Sequence, residues 1–416
     1  MILRRENVIL DSKTPNANRI HIGIFGKTNS GKSSLINALT GQEVSIVADV
    51  AGTTTDPVYK AMEMLPLGPC VFIDTAGFDD YTDLGEKRLE KTKGVVDKCD
   101  LAVVVVAADA TYLEKENEWE ESYEKKWYET LKQKKIPTMF VVTKSDLFSK
   151  ADKLVDFLQK ETKVVALSVS TTDKTGIEKV REQLVRLLPE DYGVAFITGN
   201  LVQKEDLILL VMPQDAQAPK GRLILPQVQT LRELLDKRCL VTCVATEQLE
   251  DMLAVLKKPP KLIITDSQVF DYVYERTPKE TMLTSFSVLF AGYKGDIAYY
   301  TQSAKVIDTL TEKSKVLIAE SCTHAPKEED IGRVKIPAML RKRVGEALKV
   351  DVVSGMDFPE KLNEYDLIIQ CGGCMFNRKY ILSRIEKAKE LKVPMTNYGI
   401  AIAYLKGILD KVSYSC

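Results

Sequence analysis

No excess of positive charge runs through this chain: 58 Lys and Arg stand against 59 Asp and Glu in 416 residues. Without a global positive field there is no long-range means of holding a phosphate backbone, which disfavours nucleic acid as a partner. The chain also lacks an apolar run of bilayer-spanning length. Met1 to Lys13 alternates charged with apolar residues where a secretion signal would be continuously apolar. A cytoplasmic protein with no membrane partner is expected. Low-complexity segments and clear internal repeats are missing too, and histidine occurs only twice. Eight cysteines in a reducing compartment do not make a disulfide framework, so they read as buried residues, ligands or reactive thiols.

What is present is an ordinary core-forming composition, 45% apolar and 28% charged, with length for about two to four domains. Apolar β-branched runs at Ile20–Phe25, Cys70–Asp74, Leu101–Ala107, Thr138–Thr143 and Val164–Leu167 alternate with amphipathic stretches. That order predicts an α/β fold of mainly parallel sheets covered by helices. The charged stretch Leu113 to Lys135, with Trp119, Tyr123, Trp127, Tyr128 and Leu131 at mostly helical spacing, reads as a surface helix with one packed stripe. After Leu188-Pro189 the pattern restarts, with strands at Leu207–Met212, Leu240–Ala245 and Lys261–Thr265 and helices near Val228–Lys237 and Leu249–Leu256. A third unit is expected from about Asp271, with strands Lys315–Ala319, Asp351–Val353 and Asp366–Gln370 and helices around Pro337–Ala347 and Arg378–Leu391. Three domains are thus expected, 1–185, 186–270 and 271–416.

Gly26-Lys27-Thr28-Asn29-Ser30-Gly31-Lys32-Ser33 fits GxxxxGK[ST] between an expected strand and an expected helix. Its glycines let backbone N–H groups turn onto phosphates, Lys32 neutralises β and γ oxygens, the Ser33 hydroxyl ligates magnesium, Ser34 is a further nucleotide-binding candidate and the helix opens at Leu35. Asp74-Thr75-Ala76-Gly77 ends the next apolar strand, where Asp74 can hold Mg2+ through water and the Gly77 N–H can sense the γ-phosphate. Between them, Gly52-Thr53-Thr54-Thr55-Asp56 offers Thr54 as a second hydroxyl for the metal. Thr143-Lys144-Ser145-Asp146 matches [NT]KxD, whose Asp accepts from N1 and N2 of guanine, a donor pair that adenine lacks. Ser168-Val169-Ser170-Thr171 stands where the last guanine-contacting loop belongs, with Ser170 and Thr171 as its contacts. GTP with Mg2+ is the expected ligand.

On these motifs the first domain resembles the translation-factor-like GTPases, in the branch of Era and the tRNA-modifying MnmE. That branch has an apolar residue after DTAG, here Phe78, in place of the glutamine that orients water in Ras. The resemblance implies that Asn29 helps hold a potassium ion in the role of an arginine finger. Asp79, Asp80 and Asp83 read as solvated loop acids, one of which could position water.

Four cysteines, Cys70, Cys99, Cys239 and Cys243, lie in or beside expected strands and read as buried or incidental, and Cys416 is terminal. Cys322-Thr323-His324 and Cys371-Gly372-Gly373-Cys374 differ, because each follows an expected strand, and ligands of open α/β sheets gather at the carboxyl ends of strands. Three thiolates with a different fourth ligand suit a 4Fe-4S cluster or zinc; His324 could be that ligand, a group behind it, or a structural histidine.

Here the whole chain resembles the maturation GTPases of iron-iron hydrogenase, the HydF family, whose pattern is CxH, about fifty residues, then HCxxC. Asp330-Ile331-Gly332-Arg333 and Asn397-Tyr398-Gly399-Ile400-Ala401-Ile402-Ala403 extend the likeness; Gln370 departs from it, standing where the family commonly has His. With Cys322, Cys371 and Cys374 as ligands, His324 or a carboxylate of Glu328, Glu329 or Asp330 could complete the set. The resemblance implies a homodimeric scaffold that receives a diiron subcluster precursor made with two radical enzymes and passes it to the apo-hydrogenase, with GTP timing partner exchange. A tRNA- or ribosome-directed GTPase, a zinc-stapled GTP switch and a redox carrier are the alternatives. The first predicts a basic RNA-binding module that the balanced charge does not supply.

Overall fold

Strands apolar on both faces need cover on both sides, and β1 (Ile20–Phe25), β4 (Leu101–Ala107) and β5 (Thr138–Thr143) are buried along nearly their whole length. They form a sheet with β2 (Val58–Met64), β3 (Gly68–Asp74) and β6 (Ala166–Ser168) in the order β2-β3-β1-β4-β5-β6. Every pairing is parallel except β2 with β3. One face packs on α2 (Tyr123–Gln133) and α3 (Ala151–Thr162) through Phe25, Val104, Trp127, Leu131, Leu154 and Leu158. The other packs on α1 (Lys32–Thr40) and α4 (Ile177–Arg186) through Ile22, Ile24, Leu35, Ile36, Val180 and Leu184. The computed structural model describes residues 16–40, 57–64, 67–75, 92, 94–109, 111–114, 118–188, 196–213, 223–321 and 330–415. Thr54, Gly77, Phe78, Asp79, Asp80, Asp83, Cys322, His324, Glu328, Glu329 and Cys416 lie outside the described residues.

The charged stretch after β4 is helical as expected, with Trp119, Trp127, Tyr128 and Leu131 buried. Ser122 caps α2 by accepting from the Lys125 N–H, a bond that satisfies one of the helix's orphan donors.

The chain separates into two compact units, Met1–Glu190 and Asp191–Cys416. The second holds two four-stranded parallel sheets. One comprises β7 (Leu207–Val211), β8 (Leu240–Val244), β9 (Leu262–Thr265) and β10 (Met282–Ser285) in the order β10-β9-β7-β8. The other comprises β11 (Lys315–Ala319), β12 (Lys349–Val353), β13 (Leu367–Gln370) and β14 (Met395–Asn397) in the order β12-β11-β13-β14. Each sheet places its second strand beside its first, followed by its third and fourth, so one topology occurs twice although no repeat is legible in the sequence.

The middle sheet does not end at residue 270. β10 pairs with β9 from Met282 to Ser285, so the boundary expected before Asp271 moves beyond that strand. Nor are the sheets separately cored: Leu209, Val211 and Ile263 of one share a cluster with Leu317, Ala319 and Ile368 of the other. In each half a helix follows the last strand, α8 (Phe286–Lys294) capped by Ser285 and α12 (Tyr398–Leu405) capped by Asn397; α5 (Leu225–Asp236), α6 (Leu249–Val255), α7 (Phe270–Arg276), α9 (Ile297–Ala304), α10 (Ile336–Val344) and α11 (Arg378–Glu390) make the remaining cover. The helices α8 and α12 meet so closely that a Cβ on Gly399 would lie 2.6 Å from Ser287 Oγ.

Candidate functional site

Strand register brings the first site together. Ile24 pairs with Asp74, Phe25 with Val104, Ala107 with Thr143 and Val142 with Ser168, so the loops after β1, β3, β5 and β6 leave one edge of the sheet side by side. β1 sits between β3 and β4, and such a crevice at the carboxyl ends is where open α/β sheets take their ligands.

The loop from Gly26 to Gly31 curls around the Lys32 ammonium, which is buried and donates to the Gly26 carbonyl at 3.0 Å and the Lys27 carbonyl at 2.7 Å. Gly31 holds φ at +90°, a region that costs an L side chain dearly, and a Cβ there would press on Thr143 Oγ1. Ser30 Oγ is buried with no hydrogen-bond partner among the described residues, as expected of a group that meets a ligand. Asn29, at φ 58°, and Ser34 are exposed at the rim. Ser33 Oγ donates to Asp74 Oδ2 at 2.6 Å, so the two groups expected around magnesium do converge.

Thr143, the first residue of the [NT]KxD motif, links two loops of the site. Its buried hydroxyl donates to the Ser30 carbonyl at 2.5 Å, tying the base-reading loop to the phosphate loop. Thr143→Val keeps the shape and removes the donor, leaving a buried carbonyl short of a partner at a cost of about 1–3 kcal/mol. We expect GTP affinity to fall roughly tenfold by titration with a fluorescent analogue, while an unchanged affinity would show the tie to be dispensable. Lys144 stands at φ 57° and turns the chain so that Asp146 is exposed beyond β5. Ser170 points inward and accepts from the Thr172 and Asp173 N–H groups at 3.3 and 3.4 Å, making the turn, and Thr171 is half-buried. The neighbour that reaches Asp146 is Thr172, whose hydroxyl donates to Oδ2 at 3.5 Å.

A further arrangement was not anticipated. Lys27, in the phosphate loop, lies 3.4 Å from Glu124 and donates to Tyr112 OH at 3.0 Å, while Tyr112 donates to Glu124 Oε2 at 2.8 Å. Glu124 is 2% exposed, and burial next to it pushes the Tyr112 phenol well above its usual range. The charged helix thus anchors the phosphate loop through its one buried carboxylate. The signal in the sequence was faint, since nothing distinguishes Glu124 from the exposed acids around it.

The second site lies at the carboxyl edge of the last sheet. Ala319 pairs with Val353 and Gln370, and Gln370 with Asn397, so the segments entering Ser321, Cys371 and Tyr398 start level. Cys371 Sγ is ringed by donors: the Ser321 N–H at 3.1 Å, Ser321 Oγ at 2.9 Å, the Gly373 N–H at 3.4 Å and Gln370 Nε2 at 3.6 Å. Donors converging on one sulfur suit a metal-bound thiolate. Gly373 turns the loop at φ +64°, and a Cβ there would strike Ile381 Cδ1 at 2.8 Å. Burial raises the Cys374 thiol, with Lys294 acting in the opposite sense. Cys322 follows Ser321 in the sequence; among the described residues no group of three metal-ligating side chains forms.

Gln370, besides its contact with Cys371 Sγ, is held by its neighbours in the fold. It is fully buried, donates to the Ala319 carbonyl at 3.1 Å and accepts from Arg384 Nη1 at 2.9 Å. Asp330 caps the following helical turn through the Arg333 N–H at 2.8 Å, and Arg333 Nε donates to Glu320 at 3.0 Å, tying the start of that turn to the end of β11. Asn397 Nδ2 donates to the Cys371 carbonyl at 3.4 Å. The residue missed here is Lys294: the last charge on an otherwise apolar helix, it is buried and donates to the Gly373 carbonyl at 2.7 Å and the Phe376 carbonyl at 2.8 Å. Burial pulls it down to about 8, against the opposing effect of Cys374 and Cys371. Of the other cysteines, Cys70, Cys99 and Cys239 are buried and Cys243 is exposed on β8.

A phosphate loop on β1, a Ser–Asp pair at the metal position and a base-reading loop on β5 define the first unit as a P-loop GTPase domain, and residues 21–144 match the family described as "50S ribosome-binding GTPase". Residues 197–295 match "Hydrogen maturase F dimerization domain" and residues 298–413 "Hydrogen maturase F tetramerization domain". The chain belongs to the hydrogen maturase F family.

Among curated proteins it is similar to GTPase Der of Sulfurimonas denitrificans, 38% identical over 116 residues, 27% of this chain and 23% of that one. It is also similar to the tRNA modification GTPase MnmE of Coxiella burnetii, 34% identical over 166 residues, 40% of this chain and 34% of that one. The chain thus spans only about a quarter to a third of the length of these relatives. Among solved structures, Era of Aquifex aeolicus is 18% identical with a TM-score of 0.34, covering 57% of this chain and 98% of that one.

Proposed function

We propose that this protein is a GTP-hydrolysing scaffold in the maturation of iron-iron hydrogenase, which takes a diiron subcluster precursor and delivers it to the apo-hydrogenase. The observation that carries the reading is the Cys371–Cys374 loop, its sulfur ringed by donors, inside the two segments matched to hydrogen maturase F. Cys322, Cys371 and Cys374 would hold a 4Fe-4S cluster and leave one position for His324 or an exchangeable group, which suits cargo that must be given up. The cluster would supply an iron site at which the precursor docks. This chain's own residues would supply the thiolates and the N–H donors that stabilise them.

In the first unit Lys32, the loop N–H groups and Mg2+ held by Ser33, Thr54 and Asp74 would bind the phosphates, with Gly77 sensing the γ-phosphate. Radical maturation enzymes and the apo-hydrogenase are the partners, met in the cytoplasm. No helix among the described residues is long and apolar enough to cross a membrane. The reading is tested by activating apo-hydrogenase with the radical enzymes and this protein. Wild type should restore hydrogen evolution and Cys371→Ala should not; equal activity from both would sink it.

Asn29 is assigned to potassium. GTP turnover should be several-fold faster in potassium than in sodium at equal ionic strength, an advantage that Asn29→Ala removes; equal wild-type rates would dismiss the assignment. Self-association is assigned to β8, which among the described residues stands at the edge of its sheet. Leu240 on the strand and Leu235 on α5 are each 55% exposed. Leu235→Asp with Leu240→Asp should sediment as a monomer where wild type is a dimer, and a dimer from the double variant would move the interface elsewhere.

A further inference from the structure

We propose that Lys294 is the counter-charge of the metal-binding loop: its ammonium fixes the Gly373 and Phe376 carbonyls and offsets the negative charge of a cluster held by Cys371 and Cys374. The inference rests on the cluster reading above. Lys294 belongs to the helix that closes the middle sheet, within the segment matched to the dimerisation domain, whereas the loop it grips belongs to the last sheet. One buried side chain therefore joins the two halves at the metal position.

A buried ammonium is costly unless an anion accompanies it. Among the described residues no carboxylate pairs with Lys294. The same holds for Arg384, 3% exposed, which stacks on Phe358, Phe376 and Tyr380 and donates to Gln370 Oε1 at 2.9 Å and the Gly355 carbonyl at 2.7 Å. Two buried cations thus stand behind one CxxC loop, and carbonyl dipoles satisfy their hydrogen bonds without cancelling their charge. The other half of the unit supplies the contrast. Lys406 follows α12 at the same distance from its cap as Lys294 in α8, and it reaches a carboxylate, Asp271 Oδ2, at 2.9 Å. Lys406 is thus paired with a carboxylate, whereas among the described residues Lys294, beside the cysteines, meets only carbonyls. Thiolates bound to iron supply the accompanying anion, and a positive charge beside them favours the more negative, reduced state of the cluster.

The test compares wild type, Lys294→Met and Lys294→Arg, each reconstituted anaerobically with iron and sulfide in the full chain, by EPR-monitored redox titration and by the rate of iron loss to a chelator. Lys294→Met should shift the midpoint to more negative potential and lose iron several-fold faster, while Lys294→Arg stays near wild type. An unchanged midpoint and iron-loss rate in Lys294→Met overturn the proposal. So does loss of cluster or of the circular dichroism spectrum in both variants, which would make Lys294 a packing residue. A wild type that takes up no cluster fails the cluster reading itself, whereas a wild type that does, beside an unaltered Lys294→Met, fails this inference alone.

Discussion

Asp146→Asn lowers GTP affinity about 10³-fold and turns the site toward xanthosine triphosphate, provided the loop after β5 reads the base as its position implies. The carboxylate accepts from both N1–H and the N2 amino group of guanine; losing two charge-assisted bonds of roughly 2 kcal/mol each gives that factor. An asparagine amide can still accept from N1–H, but its NH2 meets the guanine amino group donor to donor. Xanthine carries an oxygen at that position and accepts instead. The exposed Asp146, which accepts from the Thr172 hydroxyl at 3.5 Å, leaves room for the substitution without disturbing the core. Titration of both triphosphates checks it: a variant that keeps its preference for GTP would mean that another group reads the base.

Lys32→Met should lower GTP turnover by about 10²–10³-fold, with a smaller loss of binding. The ammonium is already buried and held by two loop carbonyls at 3.0 and 2.7 Å, so its position is set before nucleotide arrives. Such a preorganised charge acts most strongly where negative charge builds on the phosphoryl oxygens in the transition state, and removing one such donor costs on the order of 10²–10³ in rate. Methionine fills the same channel without the charge. Single-turnover hydrolysis at saturating GTP is the measurement, and a rate within tenfold of wild type would place the main electrostatic stabilisation elsewhere.

Much of the fold was legible because its buried parallel strands are short apolar β-branched runs. β1, β4, β5 and β11 coincide with the segments expected, and β7, β9 and β13 differ only at their ends. The strands that escaped notice lack that signature. β2 carries Lys60 and Glu63 and lies at an exposed antiparallel edge, while β10 and β14 are four and three residues long. Missing β10 misplaced the domain boundary.

Of the first site, the phosphate loop and the Asp74 and Asp146 positions could be read because each motif is contiguous. The role of Thr143 became clear only from its bond to Ser30, and the replacement of His by Gln370 only from the bond to Arg384. Glu124 and Lys294 were beyond reach, since each acts on a loop that is far away in the chain.

The most direct test of the central claim, a GTPase whose last domain carries an iron–sulfur cluster, is the EPR spectrum of the anaerobically reconstituted, reduced protein beside Cys371→Ala/Cys374→Ala. A 4Fe-4S signal in wild type that is lost in the double variant is the predicted result; no signal in wild type, with zinc bound in its place, would contradict it.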